Sequence, residues 1–340
     1  MSNNILRIGV IGVGRLGFHH ARNIRRSEGA ALTAVSDPFP EARERAAKEF
    51  GVQSYSSHAD LIADPNVDAL VIATPTQTHY EVLTAAIAGK KPIFCEKPIT
   101  YTLEEAEKIV DSIEKDGVFL QVGFMRRFDP GHAAAKRMIE GGECGKPIYV
   151  HDCQRDPNGP PPAYVPQSGG IFVDMAIHDL DAARWLMGSE VVEIYAQGAV
   201  LKHEYLKELG DIDDGQILLT FASGALGMIE ISRNANDVYD TRTEVVGLEK
   251  SVFVGQNQLT PYAIVGAGRI VVDMANWCLG RFKEGYELEM RAFIDAVRGN
   301  KPSPVTAYDG MVGLKLALAA TESWRKAAPV KLTYRAGGSG

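Results

Sequence analysis

Hydrophobic positions in the first third of the chain fall into short β-branched runs separated by stretches of helical spacing. Ile5 to Ile11, Leu32 to Ser36, Ala69 to Ala73, Ile93 to Cys95 and Phe119 to Val122 have the continuous apolar character of buried strands. Between them, Gly17 to Arg26, Pro40 to Glu49, Thr78 to Ala88 and Leu103 to Lys115 repeat at helical spacing. Thr102, with Glu105 three residues later, has the form of a capping box at the start of the last of these. Strands alternating with helices imply crossover units, so residues 1–123 are expected to form an α/β doubly wound parallel sheet covered on both faces.

The pattern changes after Phe124. A helical stretch near His132 to Glu140 ends at Gly141-Gly142, and a Pro-rich loop from Asp156 to Pro166 leads to a helix from Phe172 to Met187, stopped by Gly188. Strand-like runs follow at Glu193 to Leu201, Gln216 to Phe221, Leu226 to Ser232, Thr241 to Leu248 and Ser251 to Val254. Consecutive strands joined by turn residues favour a mostly antiparallel sheet. Two more helical patterns, Glu287 to Val297 and Tyr308 to Lys326, close the chain. Residues 124–336 therefore read as an α+β domain, one sheet with helices on one face. The closing Gly337-Gly338-Ser339-Gly340 reads as a tail.

Length and composition agree with this division. A chain of 340 residues exceeds the roughly 100–200 of one domain, and 45% hydrophobic with 23% charged residues is ordinary for a folded protein. A formal net charge of -7 gives no reason to expect nucleic acid as a partner. No apolar run approaches the roughly 20 residues needed to cross a bilayer, and the N-terminus has no secretory layout, so a soluble cytoplasmic protein is expected. Cys95, Cys144, Cys153 and Cys278 are scattered without a paired spacing, which argues against a metal site or a disulfide frame.

The chemistry begins at Gly12-Val13-Gly14-Arg15-Leu16-Gly17, directly after the first strand and opening the first helix. Gly12 permits a tight turn, Gly14 lets the backbone approach a pyrophosphate, and Gly17 lets helix pack on strand. The helix start then offers N–H groups to phosphates. Asp37 ends the second strand, where an acidic residue binds the adenosine ribose or, alternatively, caps a turn. Its carboxylate would face a 2′-phosphate, and a penalty of about two kcal/mol is already a roughly thirtyfold preference for NAD over NADP. Arg43 and Arg45 read as solvated helix charges within possible reach of such a phosphate. Thr74-Pro75-Thr76-Gln77-Thr78-His79 follows another buried strand, at the sheet edge that lines a ligand crevice, and Glu96-Lys97-Pro98 follows the next.

In Gly169-Gly170-Ile171-Phe172-Val173-Asp174-Met175-Ala176-Ile177-His178, Asp174 and His178 stand four apart and share one helix face. Asp181, three residues beyond His178, is a rival partner for the imidazole. Taken alone, such a histidine is more often structural than catalytic.

The glycine loop, Thr-Pro-x-x-x-His, Glu-Lys-Pro and Gly-Gly-x-x-x-Asp-x-x-x-His occur here in the order found in the glucose–fructose oxidoreductase/inositol dehydrogenase superfamily (Gfo/Idh/MocA). The resemblance spans residues 5 to 334 and is strongest to the bacterial inositol 2-dehydrogenases, through Gly123-Phe124-Met125-Arg126-Arg127-Phe128 and Tyr239-Asp240. It implies a Rossmann domain with an open-faced sheet domain, and a homotetramer built through those sheets. It also implies a catalytic set of Lys97, Asp174 and His178, and often a cis Lys97–Pro98 bond. NAD contacts are expected from Gly12, Gly14, Arg15, Leu16, Gly17, Asp37, Thr74, Pro75, His79, Glu96, Lys97 and Met125. Substrate contacts are expected from Lys97, Met125, Arg126, Asp156, Asp174, His178 and Tyr239, although the Pro-rich loop around Asp156 departs from the family pattern. The implied reaction is NAD-dependent oxidation of a secondary alcohol on myo- or scyllo-inositol, with no metal. The alternatives are an NAD(P)-dependent aldose dehydrogenase, a cofactor-retaining sugar oxidoreductase and a non-catalytic nucleotide-sensing regulator.

Overall fold

The computed structural model describes residues 5–236, 238–255, 258–259 and 263–335. The tail at 337–340 lies outside the described residues. The chain divides into two compact units. One runs to Met125 and takes in Tyr286–Leu314, and the other comprises Arg126–Gly285 and the chain from Lys315 onward.

The first unit is built on β1 (Leu6–Ile11), α1 (Arg15–Arg26), β2 (Ala30–Ser36), α2 (Pro40–Phe50), β3 (Gln53–Tyr55), α3 (His58–Ala63), β4 (Ala69–Ile72), α4 (His79–Ala88), β5 (Ile93–Glu96), α5 (Leu103–Asp116) and β6 (Leu120–Gly123). Its six strands are all parallel, in the order β3-β2-β1-β4-β5-β6. Strands β4, β5 and β6 are buried at every position, as expected when crossover helices cover both faces. Thr102 and Glu105 form the expected capping box at α5. The pair β3 and α3, too short for a periodic signal, was not apparent in the sequence.

The second unit contains α6 (Pro130–Glu140), β7 (Pro147–Arg155), α7 (Val165–Ser168), α8 (Ile177–Met187), β8 (Val191–Ala199), α9 (Tyr205–Glu208), β9 (Asp214–Phe221), β10 (Leu226–Ser232), β11 (Asp240–Gly247), β12 (Ser251–Val254), the hairpin β13 (Ile264–Gly266) and β14 (Arg269–Val271), and α10 (Cys278–Arg281). The chain closes with α11 (Lys283–Arg298), α12 (Ala307–Lys326) and β15 (Val330–Lys331). Seven strands form a sheet in the order β12-β11-β7-β10-β9-β8-β15, antiparallel at every step except β7 with β10. Strand β9 alternates exposed and buried positions over most of its length, the signature of a sheet with one covered face. Strand β7 begins at a proline and carries His151, Asp152 and Arg155, so its sequence does not look like a buried central strand, yet Asp152 is fully buried.

In the first unit, Ile8, Val10, Val35, Val71 and Phe94 of the sheet pack with Phe18, Ala21 and Ile24 of α1 and with Met290, Phe293 and Ile294 of α11. Among the described residues no helix is long and apolar enough to cross a membrane. All four cysteines are free thiols, three of them buried.

Candidate active site

The glycine turn sits at the carboxyl end of β1, whose neighbours β2 and β4 continue the chain in opposite directions across the sheet. Such a reversal opens the crevice in which α/β sheets bind ligands. Gly12 has φ 84°, and a Cβ there would stand 2.7 Å from the Ala73 carbonyl oxygen. At Gly17 a Cβ would meet the Gly12 oxygen at 1.8 Å, so neither position accepts a side chain. Gly14 is the N-cap of α1, makes no side-chain cap and has open space over it. Arg15 and Leu16 begin the helix, the first exposed and the second half-buried. A helix start left open at a glycine fits a pyrophosphate.

Asp37 braces this turn. Its Oδ2 accepts from the Val13 N–H at 2.9 Å and its Oδ1 from the Phe39 N–H at 2.9 Å. The turn-capping and ribose-binding readings are therefore compatible, because each carboxylate oxygen keeps a second lone pair. Arg43 donates Nη1 to the Asp37 carbonyl at 2.8 Å, while Arg45 stacks over Phe18 at 4.7 Å. Neither is simply a solvated charge, and Arg43 stands beside Asp37.

Thr74 and Pro75 follow β4 at the same edge, half-buried and exposed, and the Thr78 hydroxyl lies 2.9 Å from both the Thr74 hydroxyl and the Pro75 carbonyl. His79 is buried, with its ring nitrogens 2.8 Å from the Pro98 oxygen and 2.9 Å from the Thr74 oxygen. Burial lowers its pKa, and a neutral imidazole donates to only one of these two carbonyls. It clasps two loops together from below. Glu96 is also buried, against His20 of α1. Lys97 is the first residue past β5, half-buried, and its bond to Pro98 is cis. Met125 is buried.

In the second unit the expected helix does not begin as an α-helix. Phe172–Ala176 forms a π turn that runs into α8, and Asp174 lies in that turn with His178 just beyond it. Single π turns recur at functional sites. Gly170 has φ 84°, and the Val173 and Asp174 N–H groups donate to its carbonyl at 3.1 and 2.8 Å. Asp174 is held from two sides: the Tyr164 hydroxyl donates to Oδ1 at 2.9 Å, and Arg233 Nη2 lies 3.3 Å from Oδ2. Arg233 is buried and also donates to Asp211 at 2.8 Å, while Asp211 accepts the Ile171 N–H at 3.0 Å. Arg233 and Asp211 thus brace the whole start of the helix.

The rival acid Asp181 carries a cation of its own. Arg127 forks onto Asp181 at 2.9 and 2.5 Å, and both are buried. Arg126 is 1% exposed, with Nη1 2.6 Å from Asp179 and 3.4 Å from Asp152, Nη2 2.5 Å from Gln154 and Phe282 stacked at 5.6 Å. This is an interior guanidinium behind α8, not the open substrate contact that the resemblance implies. Burial raises the pKa of both Asp152 and Asp179, so a proton shared by the pair leaves one negative charge against Arg126.

Asp156 is half-buried at the end of β7, with no partner for Oδ1 among the described residues. Burial, reinforced by the Asp174 charge, pushes its carboxyl up to about 6. Tyr239 is 2% exposed and edge-on to Phe282 at 6.3 Å. Burial, with the Asp156 charge adding, pushes its phenol up and keeps it neutral. Asp156, Asp174, Tyr239 and Arg233 of the second unit thus act on one another by charge, and Tyr239 and Arg233 are as buried as Arg126. Sequence reasoning missed Tyr164, Arg127, Asp211 and Arg233. A signal existed for Arg233, a cation directly after the strand Leu226 to Ser232; Tyr164 in its proline loop offered none.

Two family models match the chain: the "Oxidoreductase family, NAD-binding Rossmann fold" model over residues 6–124, and the "GFO/IDH/MocA C-terminal domain" model over residues 132–253. The chain is 40% identical over 332 residues to scyllo-inositol 2-dehydrogenase (NAD(+)) of Bacillus subtilis, covering 97% of each. It is 39% identical over 329 residues to the myo-inositol 2-dehydrogenase of Thermotoga maritima, covering 96% of this chain and 98% of that one. Among solved structures it resembles scyllo-inositol dehydrogenase from Lactobacillus casei with bound cofactor NAD(H) and scyllo-inositol, with a TM-score of 0.91 and 29% identity, covering 96% of this chain and 98% of that chain.

Proposed function

The chain belongs to the GFO/IDH/MocA oxidoreductase family, and on that premise we propose that it is an NAD-dependent dehydrogenase oxidising a secondary alcohol of a cyclic polyol, myo- or scyllo-inositol, to the keto-inositol. NAD, when bound, supplies the two-electron acceptor for the carbinol carbon. The open helix start at Gly14 and the Asp37 carboxylate, braced for the ribose, are the residues that would hold it.

His178 takes the hydroxyl proton, a role suited to an imidazole near neutral pH. Asp174, fixed by Tyr164 and Arg233, sets a carboxylate on the same helix to stabilise the imidazolium. The Lys97 ammonium donates to the substrate oxygen and offsets its developing negative charge, as a preorganised donor does. Asp156 and Tyr239 bind the other ring hydroxyls. Arg126 acts from behind, stabilising the helix that bears His178 through Asp179.

What supports this reading most is the braced π turn: a buried arginine, Asp211 and Tyr164 fix the one short segment that carries Asp174 and leads into the helix of His178. The test is NADH formation with myo-inositol, scyllo-inositol, glucose, galactose and xylose. Turnover confined to the aldoses would replace the polyol with a sugar, and none with any of them, while NAD still binds, would end the enzymatic reading.

A homotetramer and a cytoplasmic location belong to the same proposal. Leu218, Leu226 and Phe253 lie exposed on strands of the large sheet, and Ile264, Val265 and Ile270 are exposed on the hairpin, an apolar surface suited to a second copy. Four free thiols suit a reducing compartment.

A further inference from the structure

Next to Lys97 the first unit holds a buried acidic cluster that the proposed chemistry leaves unused. Glu96, the last residue of β5, is 5% exposed and serves two partners at once. Its Oε1 lies 2.7 Å from His20 Nε2 on α1, and its Oε2 accepts the Lys97 backbone N–H at 3.2 Å. The carboxylate packs close over Gly123 of β6: a Cβ there would stand 3.1 Å from its carbon and from Oε2, tight enough to push it by a few tenths of an ångström. His20 is fully buried and edge-on to Phe94 at 5.1 Å, so the Glu96 partner is itself fixed by packing.

Glu289 of α11 is the second acid. It is fully buried, and neither of its carboxyl oxygens has a hydrogen-bond partner among the described residues. Gln121 of β6 donates Nε2 to the Glu289 backbone carbonyl at 3.2 Å, tying α11 to the strand beside Glu96. A carboxyl group buried without a cation is held neutral, and burial raises Glu289 well above its ordinary value.

We propose that Glu96 is the positioning residue for Lys97: His20 on one side and the bare Gly123 on the other fix its carboxylate, which pins the Lys97 main chain. The inference rests on Lys97 acting at the substrate oxygen. A lysine reaches its target through a flexible four-carbon stem, so the place of its Cα decides where the ammonium can stand. A misplacement of about 1 Å at a reacting group costs on the order of 10²-fold in rate. The glutamate of the Glu-Lys-Pro sequence is thereby a support for the lysine rather than a contact for the cofactor.

The experiment compares kcat, polyol KM, NAD affinity and melting temperature for Glu96→Ala, Glu96→Gln, Gly123→Ala and Lys97→Ala, and for each Glu96 or Gly123 change combined with Lys97→Ala, all in the intact protein with the inositol that the wild type oxidises. Glu96→Ala is expected to lower kcat roughly 10- to 100-fold while NAD affinity stays within about twofold. Glu96→Gln keeps an acceptor for the Lys97 N–H and, with the other His20 tautomer, a partner for the imidazole, so it restores most of the rate. Gly123→Ala displaces the carboxylate without removing it and lowers kcat severalfold, which gives a reading even where Glu96→Ala folds poorly. In the Lys97→Ala background none of these changes lowers kcat further, because they act through the absent side chain. Additive losses in that background, or wild-type kcat in both Glu96→Ala and Gly123→Ala, would overturn the proposal. Wild-type turnover in Lys97→Ala alone would remove the catalytic reading of Lys97 and this inference with it, an outcome distinguishable from additivity.

Discussion

Replacing Asp37 by serine separates its two jobs and sets a number on cofactor choice. The carboxylate accepts two backbone amides, from Val13 and Phe39, each at 2.9 Å, in a site 6% exposed. A serine hydroxyl keeps one of them, so one buried hydrogen bond to a charged acceptor is lost, at a cost of about 1.5–3 kcal/mol in stability. The same change removes the negative charge that would face a 2′-phosphate. Relief of about two kcal/mol is a roughly thirtyfold gain in the ratio of kcat/KM for NADP to that for NAD. Arg43 adds to this, because its guanidinium already lies 2.8 Å from the Asp37 carbonyl and becomes the nearest cation for the phosphate. Steady-state kinetics with each cofactor at saturating polyol gives the ratio, and a melting curve gives the stability cost. Arg43→Gln in the Asp37→Ser background should return part of the NADP gain. An unchanged cofactor ratio beside a lowered melting temperature would refute the reasoning and reduce Asp37 to a brace for the turn.

Two acids raised by burial set the pH range over which a carboxyl-to-amide change stabilises, and both changes gain on the wild type as pH rises. Asp156 titrates at about 6 in the folded chain, above the ordinary 3.8, so its contribution is complete at low pH and is lost as pH rises through about 6. Asp156→Asn should therefore melt increasingly higher than wild type from pH 4 to about 6, then by a constant margin; a margin independent of pH would refute the buried titration. Burial, with the Glu96 charge adding, holds Glu289 well above its ordinary 4.5, so Glu289→Gln should gain on the wild type as pH rises above that value, with no gain in strong acid. A destabilised Glu289→Gln at pH 8 would contradict it. Tyr164→Phe removes the hydroxyl donated to Asp174 and should lower kcat/KM for the polyol roughly 10- to 100-fold with NAD affinity unchanged, since a hydrogen bond to a charged group is worth about 1.5–3 kcal/mol; an effect on NAD binding alone would count against the site.

The nucleotide-binding half was largely legible because its signals are local. A glycine turn, an acid at a strand end and apolar runs with turns between them each report on a few adjacent residues, and five of the six parallel strands were recognised from them. What escaped depends on distant partners. Helix α11 announces an apolar face, but nothing in that face says it covers α1 and the sheet of the first unit. Strand β7 hides its place in the interior of the second sheet because Asp152 is buried by virtue of Arg126 and Asp179, residues far off in sequence. The same holds at the site. Asp174 and His178 stood out by spacing, whereas Arg233 and Tyr164 reach Asp174, and Asp211 reaches Arg233 and Ile171, only through folding. Spacing also suggested Asp181 as a rival for the imidazole, and only the fold reveals Arg127 bound to it.

The central claim is that His178 removes a proton from a polyol carbinol as NAD is reduced. Turnover of scyllo-inositol with saturating NAD, followed by NADH absorbance in wild type and His178→Ala, tests it directly. A general base contributes about 10²–10⁴-fold, so the variant should be slower by that factor at unchanged NAD affinity. Equal turnover in the two proteins would contradict the account.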